Sequence, residues 1–94
     1  MKREKMTPEE VSERLEKVPG WRAESEKLTR RFEFKNFADA LDFVNKVGAL
    51  AEAADHHPDV RFGWGFAEFE ITTHDRGGLT EFDFSLAGQI NDIR

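Results

Sequence analysis

Three histidines, two of them adjacent, are the only side chains of this 94-residue chain that titrate near neutrality. His56 and His57 sit in Asp55-His56-His57-Pro58, which crowds polar groups at the C-terminal end of the most apolar helical pattern. The negative end of a helix favours protonated imidazole by about 0.3–1 kcal/mol, which suits a proton donor. His74 sits in Thr72-Thr73-His74-Asp75, at the end of a strand pattern that leads into Gly77-Gly78. If that strand runs regularly to His74, the imidazole shares a face with Glu70 and Thr72. Imidazoles with pKa near ~6.5 give and take protons at neutral pH, so general acid/base work is the chemistry on offer. Taken singly, each feature also has a bland meaning. A histidine at a helix end caps it or faces solvent. Gly77-Gly78 makes a turn, Thr80 with Asp83 caps a helix, and Trp21 and Trp64 fill a core or an interface.

Composition removes most other chemistries. There is no cysteine, hence no thiolate nucleophile, disulfide or zinc-finger ligand. A three-histidine zinc site is conceivable, but adjacent His56 and His57 project in different directions, and no H-x-x-x-H or H-E-x-x-H spacing occurs. The expected metal is therefore none. The net charge of −5 disfavours a direct nucleic-acid grip, which needs clustered Lys and Arg. Nothing approaches the ~18 consecutive apolar residues of a membrane span, and Met1–Glu10 carries no signal-peptide core. A soluble, cytoplasmic, single domain over 1–94 is expected. Nine Phe and two Trp argue against disorder, although a core this small makes self-association plausible.

The elements that must position the histidines follow from periodicity. Thr7, Pro8 and Glu10 form a capping box with a proline at the first helical position, predicting a helix over about 8–17 with Val11, Leu15 and Val18 as its stripe. Met6 and Val11 are placed as a hydrophobic staple. Leu28, Arg30, Phe32 and Phe34 alternate with polar residues as a strand, paired with Trp21–Ala23 across a turn at Glu24–Lys27. Asn36 caps a helix to about Asp55, whose broad face from Phe37 to Ala54 predicts deep burial against a sheet or a second subunit. Two more strands, around Val60–Trp64 and Ala67–Thr72, join near Gly63–Gly65. Thr80 and Asp83 open a last helix, with Phe82, Leu86, Ile90 and Ile93 as its expected inner face. The order α-β-β-α-β-β-α predicts an α+β domain, a four-stranded, mainly antiparallel sheet with helices on one face.

Together these features are more specific than apart. Glu52-x-x-x-His56-His57-Pro58, an aromatic at Trp64, His74 and Asp83 resemble the signature of the pterin-4a-carbinolamine dehydratases. The surrounding text agrees: Gly20-Trp21, Phe32-x-Phe34-x-x-Phe37-x-x-Ala40, and Thr73-His74-x-x-Gly77-Gly78-Leu79-Thr80 followed by Asp83 and Leu86-Ala87, spanning roughly residues 7–93. The chain departs from the family pattern at Val60, where an aromatic is common, and at Trp64, which replaces a tyrosine-like position between Gly63 and Gly65. These departures fall on the pocket rim and on a strand expected at a subunit boundary.

The resemblance implies dehydration of 4a-hydroxytetrahydropterin to quinonoid dihydropterin, in tetrahydrobiopterin recycling, with no metal or organic cofactor. It makes His56, His57 and His74 the catalytic histidines, with His57 the principal acid/base and His74 acting on the 4a-hydroxyl. The pterin would lie against Asp55, His56, His57, Thr72, Thr73, His74 and Asp75. Glu52 and Asp83 would orient the histidines or shape the pocket, with Trp64 supporting. The implied partners are a pterin and further copies of the chain, as a homodimer or homotetramer. Two alternatives use the same fold: a non-enzymatic dimerisation module, or a relative acting on another pterin, such as one on the molybdenum-cofactor route.

Overall fold

The computed structural model describes residues 1–93. Its elements are α1 (Pro8–Leu15), β1 (Arg22–Glu24), β2 (Lys27–Glu33), α2 (Phe37–Ala54), β3 (Asp59–Gly63), β4 (Phe66–Ile71), a 3-10 turn (His74–Arg76) and α3 (Glu81–Asn91). The strands lie in the order β1-β2-β4-β3, and every neighbouring pair is antiparallel. This is the α+β order read from periodicity. The capping chemistry holds as well: the Glu10 amide donates to Thr7 Oγ1 at 3.2 Å, and the Thr7 amide donates to Glu10 Oε1 at 2.9 Å. Asn36 Oδ1 accepts from the Asp39 amide at 2.8 Å. The first helix stops at Leu15, two residues short of the predicted Lys17.

Register sorts the two faces of the sheet. Leu28 opposes Ile71, Arg30 opposes Phe69, and Phe32 opposes Ala67, while Val60 and Phe62 extend the same face from β3. Helices α2 and α3 cover it, enclosing Leu28, Val47, Phe69, Ile71, Leu86 and Ile90. Arg30 is the exception on this face. Its guanidinium reaches the edge, donates to Pro19 O at 2.8 Å and Asn91 Oδ1 at 2.7 Å, and lies 4.2 Å over the Phe32 ring. The opposite face is a lattice of charges: Arg31 bonds Glu33 and Glu68, Arg61 bonds Glu68, and Lys27 reaches Glu70.

Two helical faces differ from their patterns. On α2 only Ala40, Val47 and Ala51 are fully buried, and Phe37 and Leu41 remain 43% and 39% exposed. Four strands are too narrow to cover so wide a stripe. On α3 the buried set is Asp83, Phe84, Leu86, Ala87 and Ile90, whereas Phe82 and Ile93 are only half-buried. The face is rotated because Asp83 itself turns inward, for the reason given next.

Candidate active site

The end of α2 separates the two adjacent histidines. Asp55 caps the helix in the left-handed region, at φ 50° and ψ 44°, a conformation that Asp tolerates better than most residues. The His56 amide then reaches back to Ala51 O at 3.1 Å, and the Asp55 amide to Glu52 O at 3.2 Å. This reversal turns His56 into the body of the domain and leaves His57 on the surface. Pro58 excludes further helix and leads into β3 at Asp59.

His56 is 7% exposed, and its Nε2 lies 2.6 Å from Asp83 Oδ1. The buried Asp83 carboxylate is held from its other side as well: Oδ2 accepts from Thr73 Oγ1 at 2.8 Å and from the Thr80 amide at 2.8 Å. Thr80 Oγ1 accepts from the Phe82 amide, so its own proton goes to Thr73 Oγ1, 2.8 Å away. The chain of donors runs Thr80 to Thr73 to Asp83. One proton is shared between His56 Nε2 and Asp83 Oδ1, and among the described contacts Nδ1 has no partner. An unpaired carboxylate would be costly to bury; this one has three donors.

His57 has a carboxylate too, but in water. Its Nε2 is 2.5 Å from Glu52 Oε2, with side-chain exposures of 54% and 78%. Glu52 precedes His57 by five residues, so the last turn of α2 delivers the partner. The pair fixes the ring, and among the described contacts Nδ1 again has no partner. His74 opens the 3-10 turn, exposed, and its carbonyl accepts from the Gly77 amide at 3.2 Å. Strand β4 ends at Ile71, so the alternation expected to carry His74 onto the face of Glu70 and Thr72 is broken by this turn. Thr73 still ties the loop down, since its hydroxyl meets Asp83 and its amide donates to Gly78 O at 3.1 Å. The hydroxyl of Thr72 donates to Glu26 O at 2.7 Å, and Asp75 pairs with Arg3.

The structure thus brings His56, Thr73 and Asp83 together directly, with Asp55 and His57 continuing from one side and His74 from the other. Glu52 joins through His57. Trp64 does not join: it is 74% exposed at the tip of the β3–β4 hairpin, at the far end of β3 from His57 and roughly 16 Å along the strand at ~3.3 Å per residue. A concavity of about 880 Å³ also lies elsewhere, on the charged face of the sheet around Thr29, Arg31, Glu68 and Glu70. Thr80 and Phe82 were read as a helix cap and a core residue; Thr80 supports Thr73, and the Phe82 ring lies 6.0 Å from His56. The signal for Thr80 was the capping box itself, because Asp83 had a second carboxylate oxygen to spend.

Comparison with known proteins decides the family. The family model described as pterin 4 alpha carbinolamine dehydratase matches residues 4–93. The chain belongs to the pterin-4a-carbinolamine dehydratase family. A Picosynechococcus sp. protein provisionally named for that activity is 46% identical over 89 residues, covering 95% of this chain and 97% of the relative. A Rubrobacter xylanophilus protein with the same provisional name is 50% identical over 86 residues, covering 90% and 80%. Among solved structures, a transcriptional coactivator/pterin dehydratase from Brucella melitensis superposes with a TM-score of 0.89 at 32% identity, over 93% of this chain and 95% of that one. A pterin dehydratase-like protein identified as a RuBisCO assembly factor in the alpha-carboxysome shares the fold, with a TM-score of 0.63 at 22% identity over 76% and 82%. Among the described residues no helix is long and apolar enough to cross a membrane.

Proposed function

We propose that the chain dehydrates a 4a-hydroxytetrahydropterin to the quinonoid dihydropterin, in the recycling of tetrahydropterin cofactor. The observation that carries this reading is the arrangement of three imidazoles on two facing segments, with buried Asp83 bonded to both. In the reaction the C4a–O bond breaks and the oxygen leaves as water, having gained a proton. The N5 lone pair forms the C=N bond and N5 gives up its proton. No electrons leave the substrate, so proton transfer is the whole demand on the protein. His57, oriented by Glu52, acts as principal acid/base. His74 acts at the 4a-hydroxyl, and His56, fixed by Asp83, completes the catalytic set and walls the pocket. The flat ring lies against Asp55, His56 and His57 on one side and Thr72, Thr73, His74 and Asp75 on the other.

The test is stopped-flow decay of freshly generated 4a-hydroxypterin. A concentration-dependent acceleration by the protein is the expected result, and decay at the uncatalysed rate rejects the reading. The same measurement separates the second reading, an interaction module, which the exposed apolar residues favour. Phe37, Leu41, Val60 and Trp64 are each at least 39% exposed, more apolar surface than one small domain needs. Self-association as a homodimer or homotetramer covers such surface without any loss of activity, in keeping with a cytoplasmic enzyme.

A further inference from the structure

Residues 2–6 precede the first helix and take no part in the chemistry above, yet their contacts converge on one place. The Lys2 amide donates to Glu81 Oε2 at 2.7 Å, and the Met6 amide donates to Leu79 O at 2.7 Å. The Arg3 guanidinium pairs with Asp75 Oδ1 at 2.7 Å and lies 5.2 Å from the centre of the Phe82 ring. Asp75, Leu79, Glu81 and Phe82 all lie on the stretch that joins His74 to Asp83. The Met6 side chain is buried and anchors the arm.

A second brace meets the arm there. Ser25 and Glu26 turn the β1–β2 hairpin with φ of 50° and 66°, a left-handed pair that usually calls for Asn-Gly. Neither residue suits that geometry, so tertiary contacts must hold the turn. Glu26 supplies them: its carbonyl accepts the Thr72 hydroxyl at 2.7 Å, and its carboxylate meets Lys5 Nζ at 3.5 Å. Both side chains reach over Gly78, where an added Cβ would stand 2.4 Å from Glu26 Oε2 and 2.7 Å from Lys5 Cε and would push these flexible ends aside. The His74 loop is therefore clamped between the arm and a strained turn.

We infer that Arg3 is a positioning residue of the site, the working end of an N-terminal clasp that fixes the His74 loop and the Phe82 ring beside His56. Arg3 reaches both parts at once, Asp75 directly after His74 and Phe82 whose ring lies beside His56. Its contacts are exposed, with side-chain exposures of 43% for Arg3 and 58% for Asp75, so losing them loosens the loop without unfolding the domain. The kinetic part of this inference rests on the dehydratase reading; the dynamic part does not.

The experiment compares Arg3→Ala and Arg3→Lys in the full chain, reading kcat, KM and amide exchange at Arg76 and Gly77, whose amides close the 3-10 turn at 3.0 and 3.2 Å. In R3A, kcat falls about three- to tenfold, and exchange at the two amides rises by a similar factor, with the unfolding midpoint nearly unchanged. In R3K most of kcat returns, because an ammonium keeps the Asp75 pair. Wild-type exchange at Arg76 and Gly77 in R3A overturns the clasp whatever the kinetics. So does a fall in kcat that only tracks the unfolded fraction. If the wild-type chain does not accelerate dehydration, the dehydratase reading fails, and the exchange rates still decide the clasp.

Discussion

His56–Asp83 and His57–Glu52 join the same two functional groups at nearly the same separation, 2.6 and 2.5 Å, on neighbouring histidines. Their surroundings are opposite. The first pair has side-chain exposures of 8% and 0%, and its carboxylate has three donors. The second stands in water, and its carboxylate accepts one hydrogen bond from the ring among the described contacts. Burial therefore decides what such a pair is for. Inside, where an unpaired charge is expensive, the pair holds α2, the His74 loop and α3 together. Outside, where pairing is worth little to stability, it leaves a ring oriented and open to solvent.

The largest effect should come from breaking the inner pair. Asp83→Ala strips acceptors from His56, Thr73 and the Thr80 amide, and costs about 3–5 kcal/mol of stability in urea unfolding. Thr73→Val removes one donor from the carboxylate and costs about 1–3 kcal/mol by the same measurement. Glu52→Gln keeps unfolding within about 1 kcal/mol of wild type while turnover falls several-fold. Equal destabilisation by Glu52→Gln and Asp83→Ala would collapse the distinction between the two pairs.

The smallest expected effect is electrostatic. The Lys2 amide and then the Arg14 guanidinium hold the Glu81 carboxyl below the usual carboxylate range. Arg61, followed by Arg31, does the same for Glu68. A carboxyl depressed on folding adds stability above its unfolded pKa of ~4.3, and that stability is lost as pH falls through the lower folded value. Acid titration of the unfolding midpoint should therefore steepen below about pH 4.3 and flatten in Glu81→Gln.

Much of this was legible because it is local. Capping boxes at Thr7 and Thr80, period-two strands and Pro58 each act within a few residues, so the chain order of elements followed from them. His56, His57 and His74 were legible as types at a spacing. Which of the two neighbours is buried was not, because that depends on the left-handed turn at Asp55, which turns His56 inward and leaves His57 exposed. The inward rotation of α3 was hidden for a similar reason. Asp83 was legible as a helix cap and, through the family resemblance, as a residue that orients the histidines, but its full burial against Thr73, ten positions earlier, was not. Phe37 and Leu41 looked like core because periodicity shows which face is apolar, but does not show whether one chain has enough sheet to cover it. Trp64 was grouped with the histidines through family spacing, and the strand length carries it away from them.

The central claim, which belongs to the proposed reaction, is that exposed His57 is the principal acid/base, while buried His56 both ties the segments together and completes the catalytic set. Its most direct test is kcat/KM for 4a-hydroxypterin dehydration by His57→Ala, with the unfolding midpoint measured on the same preparation. The account predicts a loss of about 10²-fold or more with the midpoint retained. Near wild-type turnover in that folded variant would contradict it.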